Sequence, residues 1–310
     1  MNSSSTVLIT GGTGLLGKAL TEALLEKGFR VIVLTRTPSN QKAGHPNLSF
    51  AAWNLEKKTI DKDALTKADY IFHLAGASVA EKRWTKKRKQ EIVSSRVNSA
   101  HLLIENLINV PNKVKAVIGA SATGWYGEGP ANNQIAFTET DEAATDFLGQ
   151  TCKQWEAAID PVMDLDKRLV KLRIGIVMSN DGGALKEFKK PVKFGLATIL
   201  GSGKQIISWI HIDDLVRIFL FAMDNENLSG VYNAAAPNPV TNKQLILQIA
   251  EEERGRYFIP IHVPSFFLKI ILGEMSIEVL KSFKVSAEKI QQAGFIFQYP
   301  DIQKAIHQLK

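Results

Sequence analysis

Val7-Leu8-Ile9-Thr10-Gly11-Gly12-Thr13-Gly14-Leu15-Leu16-Gly17-Lys18-Ala19-Leu20 is the stretch whose reading decides the fold. A short apolar run reads as a buried strand. Gly11, Gly14 and Gly17 follow, and Leu16, Leu20, Leu24 and Leu25 then recur at helical spacing. In such a turn Gly11 lets the chain reverse sharply, Gly14 lets backbone come close to a ligand, and Gly17 lets the helix lie against the strand. The free N–H groups and positive dipole end of the helix then face a phosphate group. Glycine spacing alone also fits a purely structural strand-to-helix turn. The strand before it and the helix after it turn the spacing into a dinucleotide-binding signal.

The rest of the chain suits that start. With 310 residues it can bury a large α/β core and a smaller appendage. Hydrophobic content of 45% and charged content of 22% are those of an ordinary globular protein. No apolar run approaches the roughly 18–20 residues of a membrane span, and the first ten residues lack a charged-then-apolar leader pattern, so a cytoplasmic protein is expected. A single cysteine, Cys152, excludes an intramolecular disulfide framework and a Cys-rich metal site, and no metal is expected. The net charge of +7 raises nucleic acid as a partner, but no helix-turn-helix, zinc-finger or RNP-like pattern accompanies it. Much of the excess lies in Lys82-Arg83-Trp84-Thr85-Lys86-Lys87-Arg88-Lys89, read as the solvated opening of a helix. Attraction of an anionic cofactor or substrate is the alternative.

Along the chain, Gly28 ends the first helix and residues 29–34 form the second strand. Residues 48–53 and 68–76 are the third and fourth, and a long helix covers 85–109 before Pro111. A fifth strand at 114–120 runs into Ser121-Ala122-Thr123-Gly124-Trp125-Tyr126-Gly127, followed by a helix over 147–163 and a sixth strand over 168–177. Strands alternating with helices give a parallel sheet covered on both faces. Beyond 177 a glycine-punctuated insertion, a strand at 206–212, a helix at 213–223 and a short strand at 230–233 precede a smaller lobe. The expected domains are 1–177, completed by about 205–235, and a lobe of 178–204 and 236–310, with a substrate cleft between them.

The second strand closes on Thr35-Arg36. An acidic residue there would bind the ribose hydroxyls of NAD. A neutral Thr followed by a guanidinium suits a 2′-phosphate, so NADP(H) is the expected cofactor, with an ordinary loop arginine as the alternative.

Several motifs agree with one family. The run Thr10 to Gly17, Asp69-x-x-x-His-Leu-Ala-Gly76, Tyr126-Gly127, Leu172-Arg-x-Gly175 and Trp209-Ile-His-Ile-Asp-Asp214 together resemble the extended short-chain dehydrogenase/reductases, the class of nucleotide-sugar epimerases and dehydratases. The chain is most similar to a nucleoside-diphosphate-sugar epimerase branch whose relatives are sometimes labelled cell-division inhibitors. The marks of that branch are Leu74-Ala-Gly-Ala-Ser78, Lys82-Arg-Trp84, Ser95-Arg-Val97, Cys152-x-x-Trp-Glu156, Gly201-Ser-Gly203 and Ala236-Pro-Asn-Pro239. The resemblance covers nearly the whole chain. It implies a Rossmann doubly wound sheet with a smaller C-terminal substrate lobe. Cofactor contacts are implied at Gly11, Gly14, Leu16, Gly17, Thr35, Arg36, Leu74, Ala75 and Gly76. Arg96, in place of the family's usual Asn, is expected to reach the cofactor, with Glu91 and Ile176 nearby.

The family's catalytic centre does not carry over. Its members use a Tyr-x-x-x-Lys pair on the helix after the fifth strand, where the Lys lowers the Tyr pKa for general acid/base work. Here that helix offers Phe147/Thr151 or Leu148/Cys152, and the usual catalytic Ser is Ala122. The hydroxyls expected to substitute are Ser121, Thr123 and Tyr126, with Cys152 and Glu156 as further candidates; each also reads as a structural residue. Arg83, Trp84, Gln205 and Trp209 are expected to line a substrate pocket. Two functions remain open: an NADP(H)-dependent epimerase or reductase acting on a nucleotide sugar or small carbonyl compound, and a non-catalytic NADP(H)-binding sensor or scaffold. Neither nucleic acid nor membrane is an expected partner, and a homodimer is left open.

Overall fold

A computed structural model describes residues 5–129 and 135–310. The opening run forms β1 (Thr6–Thr10), and the glycine turn leads into α1 (Leu15–Glu26). Then come β2 (Arg30–Thr35), β3 (Leu48–Asn54), β4 (Thr59–Ile60), α2 (Lys62–Lys67), β5 (Tyr70–His73) and α3 (Lys86–Asn109). The chain continues through β6 (Ala116–Ala122), α4 (Phe147–Ile159) and β7 (Arg168–Ile174). Next are β8 (Ile176–Met178), α5 (Gly183–Val192), β9 (Leu196–Leu200), β10 (Ile206–Ile207) and β11 (Trp209–His211). After these come α6 (Ile212–Asp224), β12 (Gly230–Ala234), β13 (Val240–Thr241), α7 (Asn242–Arg254) and β14 (Ile259–Val263). The last elements are α8 (Ser265–Leu272), α9 (Ser276–Leu280), α10 (Glu288–Gln292) and α11 (Ile302–Gln308).

The main sheet runs β12-β7-β6-β5-β1-β2-β3-β4, parallel except for the β3–β4 hairpin. This is the Rossmann-type doubly wound arrangement. Its central strands β1, β2 and β5 are largely apolar because both faces are covered. Val7 and Ile9 point with Val31 and Val33 toward Leu20 and Leu24 of α1 and Phe219 of α6. One residue out of phase, Leu8, Ile32 and Leu34 join Leu102 and Leu103 of α3 on the other face. From β4 the chain returns through α2 to place β5 beside β1, so the two halves of the winding diverge there. A crevice at the carboxyl ends of β1 and β5 is the ligand position of such sheets.

Two boundaries differ from the sequence expectation for local reasons. The fourth helix stops at Ile159 and tightens into a 3-10 turn over Asp160–Leu165, because Pro161 has no N–H to continue the ladder. The expected strand over 168–177 breaks at Gly175, where a Cβ would lie 2.8 Å from the Ser208 carbonyl oxygen. Beyond that break β8 leaves the main sheet and pairs with β11.

A second core gathers Leu185 and Val192 of α5, Ile199 of β9, Trp209 of β11, Leu245 and Ile249 of α7, and Ile302 and Ile306 of α11. Residues 287–297 instead return to the main sheet, where Ala287, Ile290, Phe295 and Phe297 pack with α6. Asp214, fully buried on α6, fixes that return. It accepts hydrogen bonds from the backbone N–H groups of Gln298 (2.9 Å) and Tyr299 (2.8 Å) and pairs with Arg217 at 2.6 Å. Asp214→Ala would leave those donors unpaired in the interior and should cost about 2–4 kcal/mol of stability in urea unfolding. A loss below about 1 kcal/mol would mean that the C-terminal segment docks without it.

Candidate functional site

The glycine turn is built as its chemistry requires. Gly11 has φ +71°, and a Cβ there would sit 2.9 Å from the Leu74 carbonyl. Gly17 is the tightest position, since its Cβ would fall 2.4 Å from both Gly11 O and Gly12 Cα, so the helix start lies directly on the turn. Gly14 is different: only the Gly11 oxygen is within reach, at 3.3 Å, leaving its outer side open. Gly14 is also the N-cap of α1 and supplies no side-chain acceptor, and no acidic residue stands in the first turn. The first N–H groups of α1, including that of Leu16, are thus left for an external acceptor, as a phosphate site requires. Gly12, to which the sequence gave no role, lies against Val33, whose Cγ1 would be 2.7 Å from a Cβ there.

Behind the turn lies a buried relay that sequence reasoning missed. The Thr10 hydroxyl accepts from the N–H groups of Leu74 (3.0 Å) and Ala75 (3.2 Å) and lies 3.0 Å from His73 Nδ1. With its acceptor capacity used, its own proton points at Nδ1. The His73 Nε2–H then faces Ser99 Oγ at 3.3 Å, and Ser99 donates to the Arg96 carbonyl at 2.8 Å. Every donor and acceptor is matched only when His73 is neutral, and burial drives its pKa down to about 4. The signal in the sequence was Thr10 and His73 at the ends of two adjacent apolar runs.

Around the crevice, Thr35 is buried at the end of β2 with Arg36 exposed beyond it. Gly76 faces the Arg96 guanidinium, which would lie 3.0 Å from a Cβ there. Glu91 points elsewhere: it pairs with Arg88 at 2.8 Å, which holds its carboxyl below the usual range. Ile176 is part-exposed, beside Trp209 on β11.

The carboxyl end of β6 holds a second buried network. Ser121 Oγ donates to Glu156 Oε1 at 2.7 Å, and Glu156 is clamped by Arg173 through Nε (2.8 Å) and Nη2 (3.2 Å). Arg173 also lies 3.6 Å over the Trp125 ring and donates to the Tyr126 hydroxyl at 3.0 Å. Tyr126 is turned inward, not toward the crevice. Its hydroxyl donates to Asn233 at 2.6 Å, and burial raises its pKa to about 12. Thr123 donates to the Ile174 carbonyl at 3.3 Å. Cys152 lies 3.7 Å from the Ala122 carbonyl, and burial raises its pKa to about 12, which keeps it a thiol.

Of the four residues expected to line a substrate pocket, Arg83 and Trp84 lie against different elements. Trp84 packs edge-on against Phe147 at 4.9 Å and donates to the Val79 carbonyl, while Arg83 lies against Gly273 beyond α8. The other two do not join them. Trp209 is fully buried in the second core and donates to Asn238, and Gln205 is spent on the Leu200 and Val279 carbonyls. Their apolar and amide groups satisfy the lobe's own interior, a use that sequence alone could not separate from pocket lining. Among the described residues no group of His, Cys, Asp and Glu could hold a metal ion, and no helix is long and apolar enough to cross a membrane.

Residues 7–148 and 184–235 match the model of the NAD dependent epimerase/dehydratase family. The chain belongs to that family. Residues 263–309 match a further domain of unknown function, DUF1731. An epimerase family protein of Staphylococcus saprophyticus is 37% identical over 308 residues, covering 97% of this chain and 98% of its own length. The human epimerase family protein SDR39U1, solved with NADPH, superposes with a TM-score of 0.83 at 27% identity, covering 98% of both chains. A nucleoside-diphosphate sugar epimerase from Corynebacterium glutamicum gives a TM-score of 0.76 at 32% identity, covering 99% of this chain and 58% of its own. This is therefore an NAD(P)-dependent epimerase-family protein.

In this epimerase-family chain the His73 relay ties stability to pH. A buried neutral histidine binds its proton later than the unfolded chain does, so stability falls as pH drops below about 6.5 and goes on falling toward 4. His73 should account for a loss of about 2 kcal/mol between pH 7 and pH 5. Urea unfolding of wild type and His73→Gln at both pH values measures it. The variant should be less stable at pH 7 and show the shallower decline.

Proposed function

We propose that the chain is an NADP(H)-dependent epimerase or reductase acting on a nucleotide sugar or a small carbonyl compound, with an acid/base set that lacks Tyr-x-x-x-Lys. The observation that carries the reading is the end of β2, where buried Thr35 is followed by an exposed Arg36 and no acidic side chain. The human relative solved with NADPH supports it. In this reading the turn from Gly11 to Gly17, with the backbone of Leu16, holds the pyrophosphate. Arg36 takes the 2′-phosphate by paired hydrogen bonds with Thr35 beside it, and Leu74, Ala75 and Gly76 present backbone along the crevice, with Ile176 on its far side. When bound, the dinucleotide supplies hydride transfer at its nicotinamide.

The proton handling falls to the end of β6. Because Ser121 gives its own proton to Glu156, its oxygen is free to accept one from a substrate hydroxyl, and Glu156 is the base behind it. Thr123 lies two residues on, and Tyr126 acts as a positioning residue through Arg173. Arg83 and Trp84 then offer a cation and an aromatic face to the substrate. The catalytic assignment is exposed to one competing observation. Ser121, Thr123 and Tyr126 each already donate to a protein acceptor, an arrangement that favours a non-catalytic NADP(H) sensor or scaffold.

Two measurements test these readings. Losing a charge-assisted hydrogen bond costs about 1.5–3 kcal/mol, so Arg36→Ala should weaken NADPH roughly ten- to a hundred-fold and leave NADH nearly unchanged; equal losses would refute the NADP assignment. Separately, nucleotide sugars and carbonyl compounds are screened for turnover with NADPH. A general acid/base contributes about 10² to 10⁴ in rate, so Ser121→Ala and Thr123→Val should cut the turnover of any substrate found by about that much with NADPH affinity little changed. Tight NADPH binding with no turnover across the screen would favour the sensor reading.

A further inference from the structure

The part-buried and buried arginines of the chain are not alike in how their charge is balanced. Arg173 is paired with Glu156, Arg217 with Asp214, and Arg88 with Glu81 and Glu91. Arg168 is spent on three carbonyls at the end of α6 and just beyond it. Arg96 has no carboxylate within ion-pair distance among the described residues. Its Nη1 donates to the Ala77 carbonyl at 3.0 Å and the Ile92 carbonyl at 2.8 Å, and its carbon lies 4.8 Å over the Trp155 ring. Nε and Nη2 have no hydrogen-bond partner among the described residues. Yet these atoms are not sealed in the interior, for neither belongs to the set of buried polar atoms without partners. The guanidinium packs over Gly76, just past the carboxyl end of β5, with Nε 3.3 Å from where a Gly76 Cβ would stand, so a glycine leaves the space beside that edge unfilled.

The field at this position disfavours a cation. Its electrostatic neighbours are the neutral Cys152 thiol and the like charge of Arg88, and burial pulls the Arg96 pKa down to about 10. A desolvated cation held in one orientation without a counter-charge is costly, and an anionic ligand offsets that cost when it arrives. An aromatic face and two carbonyls fix the guanidinium, which preorganises its remaining donors.

We infer that Arg96 is an oxyanion-binding group of the crevice, and that the ligand filling this corner presents a carboxylate or phosphoryl oxygen to its free Nε and Nη2 edge. The inference rests on the reading of the crevice as a dinucleotide site. The oxyanion belongs either to the cofactor or to an acidic substrate bound beside it. Cys152 lies within electrostatic range on α4, so a lysine there places an ammonium near the same volume.

The test uses the full chain as wild type, Arg96→Gln, Arg96→Lys and Arg96→Gln/Cys152→Lys. NADPH is titrated first, by its fluorescence. The NADPH-saturated proteins are then titrated with oxalate, a small dicarboxylate probe, and thermal unfolding is recorded for each. Arg96→Gln should weaken NADPH or oxalate about ten- to a hundred-fold, while Arg96→Lys and the double variant recover most of the loss. A loss confined to NADPH assigns the oxyanion to the cofactor, and one confined to oxalate assigns it to the substrate. An Arg96→Gln variant that binds both probes like wild type overturns the inference. So does a loss that neither lysine variant recovers and that comes with a lowered melting temperature, since Arg96 then only braces the Ala77 and Ile92 carbonyls. Wild type without affinity for NADPH removes the dinucleotide reading itself, and this inference with it.

Discussion

The site depends on the Thr10 hydroxyl. Just beyond β5 the Leu74 N–H still reaches the Thr10 carbonyl at 3.2 Å, whereas the Ala75 N–H turns to the Thr10 hydroxyl. Thr10 accepts both from the end of β1 and passes its proton to His73, so no buried donor is left unpaired there. Thr10 thus holds the backbone just past β5 through both its carbonyl and its hydroxyl. Through Ser99 the same relay reaches the Arg96 carbonyl on α3, so the sheet edge and the helix carrying the cation share one rigid network.

The fold was legible because its signals are local and repeated. The apolar strands, the glycine turn and the amphipathic helices each state their element within a few residues, and βα alternation then leaves little choice of topology. The parts that were less legible depend on contacts far apart in sequence. Nothing near Asp214 announces that it holds residues 298 and 299, and nothing near residue 290 says that the chain returns to the main sheet. The β7–β8 break turns on a single residue whose effect is set by a neighbour across space, as Gly175 is by Ser208.

The candidate site divides along the same line. The tight conformations of Gly11 and Gly17 and the place of Thr35 at the end of β2 could be read from sequence because they follow from backbone shape and strand ends. The side-chain positions were harder, since residue type does not say which way a group points. Trp209 and Gln205 have the chemistry of pocket residues, yet they satisfy the interior of the second core. Tyr126 has the chemistry of an acid/base group, but Arg173 and Asn233 hold it inward. His73, quoted within a motif, had no role until both of its ring nitrogens had partners.

The altered α4 helix explains why charge is arranged as it is. Leu148 packs against Gly124, where a Cβ would be 3.2 Å from the Leu148 Cβ, and Cys152 beside it is kept a neutral thiol by burial. Neither Leu148 nor Cys152 offers a charge, and the cation of α4, Lys153, is exposed to solvent, so the polar chemistry at this end of the sheet comes from other residues. It comes from two places with different electrostatics. The Glu156–Arg173 pair on α4 and β7 is balanced internally, so its groups orient hydroxyls at little net charge. Arg96 on α3 has no carboxylate partner among the described residues and is held by two carbonyls and the Trp155 ring. A guanidinium without a carboxylate partner beside one neutralised pair favours negative charge in whatever binds there.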